Sequence, residues 1–242
     1  DGTESTGELT DHEDEDSGNI YISGGTINVS VTANKAKAIK SEGDMTISGG
    51  TITCSTSGGG VWDTDDLKTK AAACLTFDGG TTPVTTSGNA LVASSSGTIS
   101  VVSNSKTLDN YTTSYKSSPK GIKADGAILI NDGIINVTTT GAGGEGIESK
   151  DYITITGGQV IVNASDDAIN AAYKKNDQKQ WVSGSGDLTI TGGYIYACST
   201  GNDGMDSNGN MYINGGLVYA ISKSSPEVAL DANTEEQKKL YV

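Results

Sequence analysis

One pattern recurs along this chain and constrains its fold more than any other feature: apolar, any, apolar, any, Gly, Gly, any, apolar, any, apolar. It reads Ile20, Ile22, Gly24, Gly25, Ile27, Val29, then Met45, Ile47, Gly49, Gly50, Ile52, Cys54. Copies follow at Leu75–Val84, in shortened form around Gly97, and at Ile128–Val137, Ile153–Val162, Leu188–Ala197 and Met211–Ala220. The sites equivalent to the Gly pair begin at positions 24, 49, 79, 96, 132, 157, 192 and 215, a step near 24 residues with occasional insertions. Such a fixed step marks a stacked repeat fold. Alternation with period 2 on both sides of each pair gives two short strands. Gly between them permits φ > 0 and removes the side chain where the chain bends.

A leucine-rich horseshoe is excluded because the LxxLxL signature is missing, and a helical solenoid is excluded by the period of 2. Gly is 33 of 242 residues, but the alternation is too regular for disorder. The remaining candidate is all-β: a single-stranded parallel β-helix of about seven or eight turns, right-handed by the usual crossover rule. Its inward ladders are Ile22, Ile47, Phe77, Ile130, Ile155, Ile190 and Ile213, and Ile27, Ile52, Ile135, Val160, Ile195 and Val218. The expected organisation is an acidic segment 1–18, the coil 19–233, and a cap or linker 234–242.

A second pattern lies nine residues before the Gly pairs: Lys40, Lys70, Lys123, Glu148 and Asp206, joined by Asn170 once the insertion 173–185 is allowed for, and by similarity by Asp231. Three residues earlier stand Lys37, Leu67, Lys120, Glu145, Asp167 and Asp203. Equivalent positions of a stacked coil lie above one another, so this face is basic in the N-terminal half and acidic in the C-terminal half. Carboxylates one strand spacing apart repel. Ca²⁺, with oxygen ligands at about 2.3–2.6 Å, fits between two of them. The expected metal ligands are therefore Glu145, Glu148, Asp167, Asn170, Asp203, Asp206 and Asp231; the alternative is a solvated acidic face.

Lys120 and Lys123 read either as a strip that meets an anionic polysaccharide or as solubilising surface lysines, some turns from the acidic cluster. Trp62, Tyr173 and Trp181 fall in insertions and are candidate sugar contacts. Tyr196 and Tyr219 share one outward position on neighbouring turns. Either they stack on sugar rings or they reflect the strand propensity of Tyr.

All 16 cations are Lys and the formal net charge is −14, which argues against a nucleic-acid partner. No apolar run is long enough to span a membrane. One histidine, His12, gives no basis for a Ser-His-Asp or Cys-His site. Cys54, Cys74 and Cys198 form no CxxC pair and read as small core residues, or as one disulfide and a thiol. The start at Asp1, without an initiator Met or a signal sequence, reads as a processed or cut-down product.

The segments Ser118–Gly126 (SPKGIKADG), Gly144–Ser149 (GEGIES), Ser165–Ala171 (SDDAINA) and Gly201–Gly209 (GNDGMDSNG), interleaved with Ile-Ser/Thr-Gly-Gly strands, resemble a bacterial family of carbohydrate-binding domain proteins. The resemblance implies a secreted or surface-exposed protein with a pectate-lyase-like right-handed parallel β-helix. It also implies calcium-associated binding of cellulose and polygalacturonate without catalysis, and places the acidic positions on Glu148, Asp167, Asn170, Asp203, Asp206 and Asp231. The expected function is calcium-dependent binding of an extracellular polysaccharide, an acidic glycan or a β-glucan. The alternatives are a polysaccharide lyase and a purely structural stalk or adhesin segment. Elimination from a uronate needs a base at C5. Pectate-lyase-like enzymes use Arg or Lys there; Arg is absent here, and acidic surroundings push a Lys pKa the wrong way.

Overall fold

The computed structural model describes residues 18–62, 85–87, 90–92, 102–103, 106–107, 115–174, 182 and 185–242. Phe77, Lys70, Cys74 and Trp181 lie outside these, as does the acidic stretch 1–17. The chain divides into two compact units, Asp1–Gly59 with Pro119–Val242, and Gly60–Ser118. In the second unit three short antiparallel pairs are described: Val61–Trp62 with Tyr115–Ser117, Thr85–Ser87 with Ala90–Val92, and Val102–Ser103 with Lys106–Thr107.

The first unit is all-β, with no α-helix among the described residues, and its strand pairs are parallel. Six strands form one sheet in the order Lys37–Ser41, Lys120–Ala124, Glu145–Ser149, Ile169–Ala171, Met205–Ser207, Leu230–Ala232. A ten-stranded sheet holds the Gly-Gly segments, which run as single strands at Ile20–Val31, Met45–Thr56 and Ile128–Thr139. In later levels the same segment is split in two, as in Ile153–Ile155 and Gln159–Ala164. The chain visits the two sheets alternately, so each level contributes a strand to both.

Period-2 alternation becomes a register here. Ile22, Ile47, Ile130, Ile155, Ile190 and Ile213 are successive partners. Ile27, Ile52, Ile135, Val160, Ile195 and Val218 form a second ladder. The six-stranded sheet adds a third: Ile39, Ile122, Ile147, Ile169, Met205 and Leu230. The inner members of all three are fully buried and belong to one core, while the end levels are partly exposed. Each buried Ile contributes roughly 1.5–3 kcal/mol of transfer free energy. The second Gly of each pair has positive φ, from 81° at Gly158 to 110° at Gly133, as the bend requires.

The repeat count needs one correction. Met45–Thr56 pairs directly with Ile128–Thr139 over ten positions, and Lys37–Ser41 pairs directly with Lys120–Ala124. No level therefore stands between these strands, the look-alike copies near Gly79 and Gly97 lie outside the described residues, and six registered levels stack among the described residues. At the C-terminal end Leu240–Tyr241 pairs with Met211 and Tyr212, and the Tyr212 and Tyr241 rings stack at 4.9 Å. Cys54 and Cys198 are buried free thiols.

Candidate functional site: a charged column on the six-stranded sheet

Five of the six strands of this sheet carry a four-residue motif of charged or amide, small, apolar, charged or amide: Lys-Ala-Ile-Lys, Lys-Gly-Ile-Lys, Glu-Gly-Ile-Glu, Asp-Ala-Ile-Asn and Asp-Gly-Met-Asp, while the last reads Val-Ala-Leu-Asp. The apolar residue enters the core. The small one faces the neighbouring ladder: a Cβ on Gly146 would collide with the Val162 side chain and the Ala168 carbonyl, and one on Gly121 would collide with Val137. The two polar positions line up across levels. One column runs Lys40, Lys123, Glu148, Asn170, Asp206, Asp231. The other runs Lys37, Lys120, Glu145 and continues through Asp167 and Asp203 just before the strands.

The basic and acidic halves adjoin; they are not separated by several turns. Lys120 Nζ is 2.6 Å from Glu145 Oε1 and 3.5 Å from Glu148 Oε2. Glu148 is also paired with Lys150 and faces Lys123 Nζ at 3.9 Å. Lys123 in turn holds Asp125 at 2.6 Å. Lys120, Glu145 and Glu148 are 5%, 9% and 1% exposed. The expected open cationic strip is thus, at Lys120, a charge inside the protein. Burial opposes the Lys120 ammonium, but the two glutamates outweigh it and raise its pKa. Burial pushes the Glu145 carboxyl up to about 7, while Lys120 and Lys150 hold Glu148 below its usual range despite burial. Lys37 is lowered by desolvation and by Lys120 and Lys123.

Beyond Glu148 the column itself carries no cation. Asp203, Asp206 and Asp231 bring carboxylate oxygens within 4.8 Å of one another. Asp203 Oδ1 accepts the Val228 N–H at 2.6 Å, and Asp167 Oδ1 accepts the Asp203 N–H at 3.0 Å. Asn170 donates to Asp167 Oδ2 at 3.2 Å, which leaves its own buried Oδ1 without a hydrogen-bond partner. Desolvation and neighbouring carboxylates, Asp206 first, push Asp167 up to about 9. Burial, then Asp231 and Asp203, push Asp206 up to about 7; burial also raises Asp203.

Of the seven expected metal ligands, three converge, Asp167 and Asn170 border them, and Glu145 and Glu148 are engaged by lysines. The oxygen-only donor set, the mutual repulsion and the orphaned Asn170 oxygen fit a hard cation. Among the expected sugar contacts, Tyr173 donates its hydroxyl to Glu236 Oε2 at 2.7 Å and has Lys238 Nζ 6.0 Å from its ring centre, so it anchors the C-terminal residues. Trp62 lies in the strand Val61–Trp62 of the other unit, and Trp181 is outside the described residues.

Stacked parallel levels carrying a polar column define a β-repeat protein. The family model described as carbohydrate-binding domain-containing protein matches residues 1–143 and again 116–240, and the chain belongs to that family. Two overlapping matches within one chain agree with its internal repeat. No curated relative and no solved structure matches.

Proposed function

We propose that this protein is a non-catalytic module that binds an extracellular polysaccharide through Ca²⁺ held at Asp203, Asp206 and Asp231, with Asn170 as a neutral oxygen ligand. An acidic glycan such as polygalacturonate is the first choice and a β-glucan the second. In this reading the stacked levels close into a right-handed, pectate-lyase-like coil. Family membership supports a carbohydrate partner. The observation that carries the metal is the convergence of three carboxylates, Asp203 and Asp206 from one level and Asp231 from the next, where neither column holds a cation. Bound Ca²⁺ supplies the positive charge by which an acidic column can meet an acidic glycan. Without it a protein of net charge −14 repels such a ligand. The aspartates position the ion, and the orphaned Asn170 oxygen gains a partner.

The test is affinity electrophoresis in polygalacturonate with Ca²⁺ and with EGTA, run beside the ultraviolet absorbance of unsaturated uronates. Retardation that requires Ca²⁺ and is lost in Asp203→Asn plus Asp206→Asn supports the proposal. Rising absorbance identifies a lyase instead. No retention on any glycan in either condition overturns binding and favours a structural stalk.

A further inference from the structure

The ten-stranded sheet presents a second surface, made from the outward positions of the strands that follow each Gly pair. Three columns cross six levels, running from Thr26 to Leu217, from Asn28 to Tyr219 and from Ser30 to Ile221, the third covered at Cys198, which is buried. None of these positions holds Asp, Glu or Lys, although 19% of the chain is charged. These three columns carry no charge, with Lys223 standing just past their edge, where it acts electrostatically on Tyr196. The surface is also graded: the first two levels carry only Thr, Asn and Ser, and the last two carry Tyr194, Tyr196, Leu217 and Tyr219.

Strand propensity explains single tyrosines but not their exposure side by side. Tyr194, Leu217 and Tyr219 are 38%, 52% and 49% exposed, and Tyr196 is registered directly against Tyr219. The Tyr194 and Tyr219 rings lie 5.9 Å apart at 51°. A cluster of exposed rings bordered by uncharged hydrogen-bonding side chains marks a binding surface. Its chemistry selects the ligand: no charge for an ion to pair with, flat apolar rings, and hydroxyl and amide groups alongside. Levels about 4.8 Å apart are close to the length of one pyranose unit in an extended chain.

We propose that this face is a second carbohydrate site, independent of the acidic column. It takes an uncharged, β-linked polysaccharide whose C–H faces stack on Tyr194, Tyr196 and Tyr219. Charge complementarity favours a neutral chain over an acidic one, because the three columns themselves hold no cation to offset the charge of a uronate, and Lys223 stands only at their edge. The proposal shares with the calcium reading the carbohydrate-binding class and its second-choice β-glucan, and the Ca²⁺ dependence of binding separates the two.

The experiment is affinity electrophoresis of the whole chain in hydroxyethylcellulose and, separately, in polygalacturonate, each with Ca²⁺ and with EGTA. The native protein is expected to be retarded by hydroxyethylcellulose equally in both buffers. Tyr196→Ala plus Tyr219→Ala should lose about tenfold in affinity for it, the cost of truncating aromatic anchors. The same variant should bind polygalacturonate unchanged. Tyr196→Phe plus Tyr219→Phe keeps the rings and should retain most of the binding, which separates stacking from misfolding. The proposal is overturned if hydroxyethylcellulose does not retard the native protein, or if retardation needs Ca²⁺ or survives loss of both rings. It is also overturned if sedimentation shows a dimer that the Ala variant dissolves, since the face would then contact a second copy of this chain.

Discussion

Replacing Lys120 by Met tests whether the meeting point of the two charged halves is a true buried ion cluster. The ammonium sits 2.6 Å from Glu145 and 3.5 Å from Glu148. At an effective dielectric of about 20 these separations correspond to roughly 6 and 5 kcal/mol of attraction, most of it offset by the desolvation of all three groups. Removing one partner of a buried pair typically costs about 3–5 kcal/mol, because the remaining charge is stranded. Glu148 keeps Lys150 and Lys123 nearby, so the stranded group is Glu145, and the lower end applies. About 3 kcal/mol corresponds to a melting point lower by about 10 °C in a chain of this size. The loss should depend on pH. Burial already pushes Glu145 up to about 7, so in acid it holds a proton and needs no cation, whereas above neutrality it does. Urea unfolding at pH 5 and pH 8 should therefore show the larger loss at pH 8. Adding Glu145→Gln should recover most of it. A cost under about 1 kcal/mol at pH 8 would refute a buried cluster, and an equal cost at both pH values would refute the role given to Glu145.

Other outcomes follow from the acidic end of the column and from the small position within it. Ca²⁺ at 100 times its dissociation constant should add roughly 2.7 kcal/mol to stability, and Asp206→Asn should abolish the gain. Unchanged melting in excess EGTA, with no metal by elemental analysis, would count against the site. The metal-free protein should lose stability as pH rises through about 7, where folded Asp206 releases its proton, and again through about 9 for Asp167. Both groups are raised above their unfolded values, so the stability they confer is complete only in acid. Urea midpoints falling from pH 5 to pH 9 check this, and Ca²⁺ affinity should run the opposite way, rising with pH. Gly146→Ala drives a methyl into Val162 and the Ala168 carbonyl and should cost at least 1–3 kcal/mol by denaturation.

The ladders and the charged columns were legible because period-2 alternation assigns each residue a face, and a constant step between levels aligns like with like. Lys123, Glu148 and Asp206 fall in one column as their offset from the Gly pairs requires, and Asn170 and Asp231, placed by setting aside the insertion 173–185 and by local similarity, fall in it too. Two things were not legible. Copies near Gly79 and Gly97 match the pattern, but a pattern does not reveal which strands are neighbours, and Met45–Thr56 pairs past them. The reach of a side chain is equally hidden. Lys120 reads as one of a row of exposed lysines, yet at the next level its partner is Glu145, and the long stem folds inward to meet it. That contact was derivable in principle, since Lys120 and Glu145 stand 25 residues apart, the step of a full level. The uncharged face was the least visible signal, because an absence of charge emerges only when six levels are read together.

The direct pairing across Gly60–Ser118 has a consequence for how this protein tolerates change. On neighbouring levels the same corner is crossed by residues 32–36 and 140–144; here it is crossed by residues 57–119. Loop-closure entropy grows only with the logarithm of length, so a corner that much longer costs at most about 2 kcal/mol more to close. The levels on either side are held by their own ladder of hydrogen bonds, so the stack behaves like a bookshelf whose spacing is indifferent to what is hung from one bracket. A corner of this kind is a port: whole modules can be inserted, exchanged or trimmed to a short link while the charged column and the tyrosine face keep their register.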